Sequence, residues 1–147
     1  MSGGIIVIKK ILVATDVSEY SRKALKSALE IARKFNSEVE LLYVMYDPVV
    51  YSLGTANTYM ASPEQVEREG DLVIEGTLEG IDIGGVKLTK KKLHGNPGNV
   101  IIQEAEDEKI DLIVMGSHGY GAIVGSVLGS VSQKVLHGAK CSVLIAK

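Results

Sequence analysis

The apolar positions of this chain switch repeatedly between short unbroken runs and a three-to-four spacing. Ile11-Leu-Val-Ala14 is a short apolar run that predicts a strand, and Thr15 to Glu19 punctuate its end. Ala24, Leu25, Ala28, Leu29, Ala32 and Phe35 then recur at helical spacing, predicting an amphipathic helix that ends near Asn36. Val39 to Val44 predicts a second strand, and the polar-aromatic stretch Tyr46 to Ala61 that follows has no period. Ser62-Pro63-Glu64 reads as a helix start, a hydroxyl N-cap followed by proline where the lost N–H costs nothing. Its apolar stripe is Val66, Val73, Ile74, Leu78 and Ile81. Gly70, Gly76 and Gly80 each weaken such a helix by up to about 1 kcal/mol relative to alanine, so it is expected to be the least stable.

Val86 to His94 alternates and predicts a third strand, and Gly95-Asn96-Pro97 turns into a helix carrying Val100, Ile101 and Ala105. Leu112 to Met115 is a fourth strand. A helical stripe of Val124, Val127, Leu128, Val131 and Val135 starts near Ser126 and closes at Gly138, and Ser142 to Ala146 is a fifth strand. Strands alternating with helices imply right-handed crossovers and a mostly parallel sheet covered on both faces. The chain is therefore expected to be a single α/β domain over residues 1–147, a three-layer α/β/α sandwich with residues 1–8 as an N-terminal extension. The unbroken apolar character of the first and fourth strands puts them at the sheet's centre.

Composition narrows the class. At 147 residues, with 46% hydrophobic and 23% charged residues, the chain is long enough for one real core. A formal charge of −2 argues against general nucleic-acid binding, and Lys87, Lys90, Lys91 and Lys92 read as the solvated face of a strand. Cys141 stands alone, which excludes an intrachain disulfide or a CxxC site. Ile5 to Ile8 is too short for a signal core or a membrane span, so a cytoplasmic protein without a membrane partner is expected.

Candidate chemistry concentrates after two apolar strands. Asp111-Leu-Ile-Val-Met115 runs into Gly116-Ser-His-Gly119, then nine residues, then Gly129-Ser130. Glycine lets backbone approach a ligand closely, and a helix start offers free N–H groups to phosphate. The segment reads either as a nucleotide-phosphate cradle or as a tight strand-to-helix turn. The first strand ends in Ala14-Thr15-Asp16, where Asp16 either holds a ribose hydroxyl or a base amine, or pairs with Glu19 as a helix cap. Thr15 has the same two readings. If the two strands are neighbours, both loops converge over one crevice, the usual ligand position in an open α/β sheet.

Other chemistries are set aside. There is no GK[ST], no GxSxG elbow and no GxGxxG after the first strand, and Ser2-Gly3-Gly4 precedes that strand. His118 has no histidine, cysteine or carboxylate at ligand spacing, so no metal-binding side chain is assigned, and its backbone N–H matters more than its ring. His94 and His137 read as a strand-end and a helix-surface residue.

Lys10-Ile-Leu-Val-Ala-Thr-Asp16 with Ser18, Leu41-Leu-Tyr-Val44, Gly95-x-Pro97, Asp111 to Gly119, Gly129-Ser-Val-Ser132 and Cys141-Ser-Val-Leu144 together resemble the universal stress protein family. The resemblance runs from about Lys9 to Lys147, and Gly-x2-Gly-x9-Gly-Ser is that family's ATP-binding signature. It implies a five-stranded parallel sheet of order 3-2-1-4-5 (adenine nucleotide alpha hydrolase-like) and a homodimer. It further implies that Ala14, Thr15 and Asp16 approach the adenosine and that Val44 meets the base through its backbone. Met115, Gly116, Ser117, His118 and Gly119 would line the nucleotide, with Gly129, Ser130, Val131 and Ser132 at the phosphates. Three departures stand out: Ala14 in place of a frequent proline, Tyr120 in place of a basic residue, and the added Gly121 and Gly125.

No lysine or arginine lies between Gly116 and Ser130. Phosphate charge is then expected to be met by N–H dipoles, the Ser130 and Ser132 hydroxyls, and a Mg²⁺ or Mn²⁺ ion carried by the phosphates. ATP is the first expectation, with AMP and ADP open. Val143 to Ala146 is charge-free, and as a sheet edge it would favour pairing with a second copy. The function expected is a non-catalytic, nucleotide-dependent homodimeric switch in a stress response, with an unknown protein partner and at most weak ATPase activity. A slow ATP hydrolase and a structural dimer that binds no nucleotide are the alternatives.

Overall fold

The computed structural model describes residues 7–45, 62–119 and 128–147. Ser2 to Ile6, the Tyr46 to Ala61 stretch, Tyr120, Gly121, Val124, Gly125, Ser126 and Val127 lie outside the described residues. The elements in chain order are β1 (Lys10–Ala14), α1 (Glu19–Phe35), β2 (Glu38–Met45), α2 (Pro63–Leu78), β3 (Leu88–His94), α3 (Pro97–Asp107), β4 (Leu112–Gly116), α4 (Ser130–Gly138) and β5 (Ser142–Ala146).

All five strands run parallel in the order β3-β2-β1-β4-β5, with β1 between β2 and β4. Ile11, Leu12, Val13, Ile113 and Val114 have no measurable exposure, as expected for strands covered on both faces. Alternation divides those residues between two cores. Ile11, Val13, Val39, Leu41 and Val114 pack under α1 and α2, whereas Leu12, Leu42, Val44, Ile113 and Met115 pack under α3 and α4.

Local chemistry explains the boundaries. Ser62 caps α2 and Gln65 returns the bond to the Ser62 amide, completing a capping box ahead of Pro63. Asn36 closes α1 in the left-handed conformation, with its amide bonded to the Ala32 carbonyl. Gly80 stands beyond α2 at φ +72, so it ends the chain's turn out of the helix instead of weakening its interior. Gly70 and Gly76 have a packing reason that periodicity did not supply. A Cβ at Gly70 would stand 2.7 Å from Lys92 Cδ and 2.9 Å from Met45 Sδ, and one at Gly76 would stand 2.9 Å from Val17 Cγ2. Ile81 lies past the helix but still packs on the α1/α2 core.

Two expectations need correction. α4 starts at Ser130, not near Ser126: Leu128 sits in a bend and Gly129 is extended at φ −71, ψ 162. Lys87 and Lys90 are exposed as expected, but Lys91 and Lys92 of β3 are not simply solvated. Lys92 Nζ lies 2.6 Å from both Glu67 and Asp71 of α2, while Lys91, facing the other layer, lies 2.7 Å from Glu104 and 3.2 Å from Glu108 of α3. Strand alternation sends neighbouring cations to opposite helices.

Candidate functional site

The strand order reverses between β1 and β4, which diverge from a common centre, so a crevice is expected above their carboxyl ends. The β1 loop and the β4 loop do meet there. Gly119 lies against the Asp16 carboxylate, so closely that a Cβ on Gly119 would collide with Asp16 Oδ2. Gly116 lies under the first turn of α1, where a Cβ would come within 2.8 Å of the Tyr20 backbone carbon. Close approach calls for glycine at Gly116, where the neighbour is backbone, whereas at Gly119 a Cβ would displace the Asp16 carboxylate.

The β1 loop is held by short side chains. Asp16 Oδ1 accepts from the Ser18 amide at 2.9 Å, an Asx turn, and Thr15 Oγ1 accepts from the Val17 amide at 3.0 Å. Between them Val17 sits at φ 67, a left-handed conformation that costs a β-branched residue about 1–3 kcal/mol. The cap of α1 is Ser18, whose hydroxyl accepts from the Ser21 amide; Glu19 opens the helix. Asp16 is therefore not the N-cap that its spacing from Glu19 allowed. Thr15 is 7% exposed and its hydroxyl is turned inward, 2.6 Å from Thr77 Oγ1 and 3.0 Å from Ser21 Oγ. What Thr15 offers a ligand is backbone.

The β4 loop is built by main chain. The Ser117 amide donates to the Ala146 carbonyl at 2.9 Å, and the Gly129 amide donates to the Ser117 carbonyl at 2.7 Å. This second bond ties the start of α4 to the loop. Gly129 provides no side-chain cap, so the first-turn amides of α4, at Ser130, Val131 and Ser132, lie at an end uncapped by side chain. The Ser132 hydroxyl is buried and donates to the Gly116 carbonyl at 2.8 Å, so the expected hydroxyl contact to phosphate falls to exposed Ser130 alone.

Val44 has a distinct place. Pairing of β1 with β2 stops at Ala14↔Leu42, and the Thr15 amide donates to the Leu42 carbonyl at 2.9 Å. Residues two apart in a strand present their backbone groups to the same side, so the Val44 amide and carbonyl face the space past the end of β1. Met115 is 4% exposed and packs in the α3/α4 core, and Ala14 packs against the same core. The ring of His118 leans on Tyr20, with centroids 5.4 Å apart at 55°, and its Nδ1 lies 3.0 Å from Ser117 Oγ. Lys23 Nζ stands 5.9 Å from the Tyr20 ring centre and brings a cation to this rim.

Tyr20 and Thr77 were missed in the sequence. Tyr20 carries no pattern that would single it out. Thr77 leaves a trace, a polar residue where the stripe of Val73 and Ile74 calls for an apolar one. No group of three or more His, Cys, Asp or Glu side chains among the described residues could hold a metal ion. No helix among them is long and apolar enough to cross a membrane.

Below the opposite end of the sheet lies a second polar cluster. Glu40 of β2, Lys91 of β3 and Glu104 and Glu108 of α3 converge there, with Lys10 Nζ 3.3 Å from the Glu108 carbonyl. Burial, and then the hydrogen bond and charge of Glu104, push the Glu40 carboxyl up to about 8. Its neighbours' carboxylates hold Lys91 well above the ordinary lysine range.

An open parallel sheet whose β1 and β4 loops meet at its reversal point defines the architectural class. The Universal stress protein family matches residues 8–147, and the chain belongs to it. Universal stress protein MJ0531 of Methanocaldococcus jannaschii is 35% identical over 139 residues, covering 95% of this chain and 82% of that protein. The solved structure of hypothetical protein MJ0577, from the same organism, superposes with a TM-score of 0.75 at 30% identity and covers 97% of each chain. A universal stress protein from Archaeoglobus fulgidus, solved in complex with dAMP, shares the fold at 20% identity with a TM-score of 0.68, covering 97% of this chain and 100% of that one.

Proposed function

We propose that this protein binds an adenine nucleotide, ATP first among them, in the crevice above β1 and β4, and acts as a non-catalytic homodimeric switch. One observation carries the reading: the Asp16 carboxylate is brought against Gly119 beside the uncapped start of α4. A carboxylate suits ribose hydroxyls or a base amine, and helix-start amides suit phosphate. The Val44 amide and carbonyl supply a donor and an acceptor for a base edge. The Gly-x2-Gly-x9-Gly-Ser spacing of the ATP-binding subclass supports the same assignment. The dAMP seen with the Archaeoglobus protein agrees with it, although that likeness speaks for the fold alone.

The phosphates would carry a Mg²⁺ or Mn²⁺ ion whose other ligands are mostly water, because Asp16 is the one carboxylate among the described residues of the two loops. The apolar β5 edge is the proposed surface for the second copy, and light scattering at micromolar concentration should give twice the chain mass. Calorimetric titration with ATP and magnesium should show one site per chain, and the affinity should fall when excess EDTA replaces magnesium. No heat with ATP, ADP or AMP, together with native mass spectra free of added mass, would refute the nucleotide reading.

A further inference from the structure

We propose that Thr77 is a positioning residue of the crevice: from α2 it sets the Thr15–Ser18 turn and so holds Asp16 beside Gly119. The proposal rests on the nucleotide reading for what Asp16 then does.

Thr77 has no measurable exposure, and Thr15, Ser18 and Ser21 are each 7% exposed or less. These four hydroxyls form one network at the end of β1, between α1 and α2. Thr15 Oγ1 lies 2.6 Å from Thr77 Oγ1 and 3.0 Å from Ser21 Oγ, Ser21 Oγ donates to the Ser18 carbonyl at 2.9 Å, and Thr77 Oγ1 lies 2.7 Å from the Val73 carbonyl. Each hydroxyl has one proton to give. Either Thr77 donates to Thr15 and Thr15 donates on to Ser21, or Thr15 donates to Thr77 and Thr77 to Val73. In both arrangements Thr77 fixes the direction of the Thr15 hydroxyl.

That direction matters two residues later, at Val17. Thr15 Oγ1 accepts the Val17 amide, and Val17 holds the left-handed conformation that bends the chain back so that Ser18 can close on Asp16 Oδ1. The neighbouring residue of α2 completes the seat: Gly76 has no side chain where Val17 Cγ2 packs. Successive residues of one helix therefore receive both the hydroxyl and the strained side chain of the turn. A methyl in place of the Thr77 hydroxyl would leave Thr15 a partner short in a buried place, which favours another rotamer and releases Val17.

The test uses the full chain and the Thr77→Val variant, which keeps the shape of the side chain. ATP affinity with magnesium should weaken about fivefold, the scale of one net hydrogen bond. In the nucleotide-free variant the Val17 and Ser18 amides should exchange with solvent faster than in the parent. Thr77→Ser should restore both to within about twofold, which a loss of packing would not. If Thr77→Val does not fold by its far-UV spectrum, Thr77→Ala carries the same comparison. Parental affinity in the variant, or parental Val17 exchange, would each overturn the proposal. Failure of the parent to bind any adenine nucleotide would instead sink the nucleotide reading, and Val17 exchange would still decide whether Thr77 sets the turn.

Discussion

The two loops that meet at the crevice are made rigid in opposite ways. The β1 loop is held by what its side chains add: Thr15, Asp16 and Ser18 each take a backbone or hydroxyl proton, and together they offset the strain at Val17. The β4 loop is held by what its side chains leave out. Gly116 admits the Tyr20 backbone, Gly119 admits a carboxylate, and the Gly129 amide closes onto Ser117. A small polar residue and a missing one are equally structural here. Losing a hydroxyl should loosen the first loop, whereas gaining a methyl should force the second one apart.

That contrast can be broken most severely at Gly116. Gly116→Ala puts a Cβ against the Tyr20 backbone, which cannot move without shifting α1. We expect a loss of about 1–3 kcal/mol in urea denaturation, the range for overpacking, together with impaired nucleotide binding. An unchanged urea midpoint would mean that α1 yields easily and that this loop is less constrained than the glycine contacts imply.

Gly129 sharpens the distinction between fold and ligand. Its φ of −71 suits any residue, and a Cβ there would meet Ser117 O and His118 Cα at 3.4 Å, which is ordinary contact. Gly129→Ala should therefore fold as the parent does. Gly129→Val should keep a native far-UV spectrum and lose ATP binding by about tenfold or more in calorimetry, because its methyls would occupy the proposed phosphate approach. Retained affinity in Gly129→Val would take Gly129 out of the site.

The smallest effect on nucleotide binding is expected at Glu40, which serves as a control because it lies in neither loop. Its carboxyl is raised to about 8 from 4.5, so the folded protein holds a proton that the unfolded chain releases. The stability this gives is present below the unfolded value and is lost as pH rises through the folded one. Urea midpoints should thus decline from about pH 5 to about pH 9, and Glu40→Gln should flatten that decline while leaving ATP affinity unchanged. A parental slope in the glutamine variant would place the titration elsewhere.

Much of the framework could be read in the residues because it rests on local patterns. The Ser62-Pro63 cap, the central place of β1 and β4, and the apolar β5 edge all follow from spacing within a few positions. His94 ends β3 and His137 lies on the exposed face of α4, as their positions suggested. Contacts across the chain were illegible. Thr15 and Thr77 are 62 residues apart, and nothing in either neighbourhood announces the other. The glycines of α2 looked like weak points because propensity counts only the helix itself, whereas Met45, Lys92 and Val17 need the space. Asp16 misled for a related reason: aspartate and serine both cap helices, and only the geometry assigns the cap to Ser18.

The two borders of the sheet differ in kind. Along β3, Lys92 is engaged by Glu67 and Asp71, and Lys87, just before the strand, by Glu38; along β5, Ser142 to Ala146 offers no charge at all. Among the described residues the β5 border alone lacks charge, so in the proposed homodimer joining it to its own kind would occupy that border in both participants. Under that proposal growth would stop after a single event, and a chain with a charge-free flank would thereby be kept from polymerising into fibres.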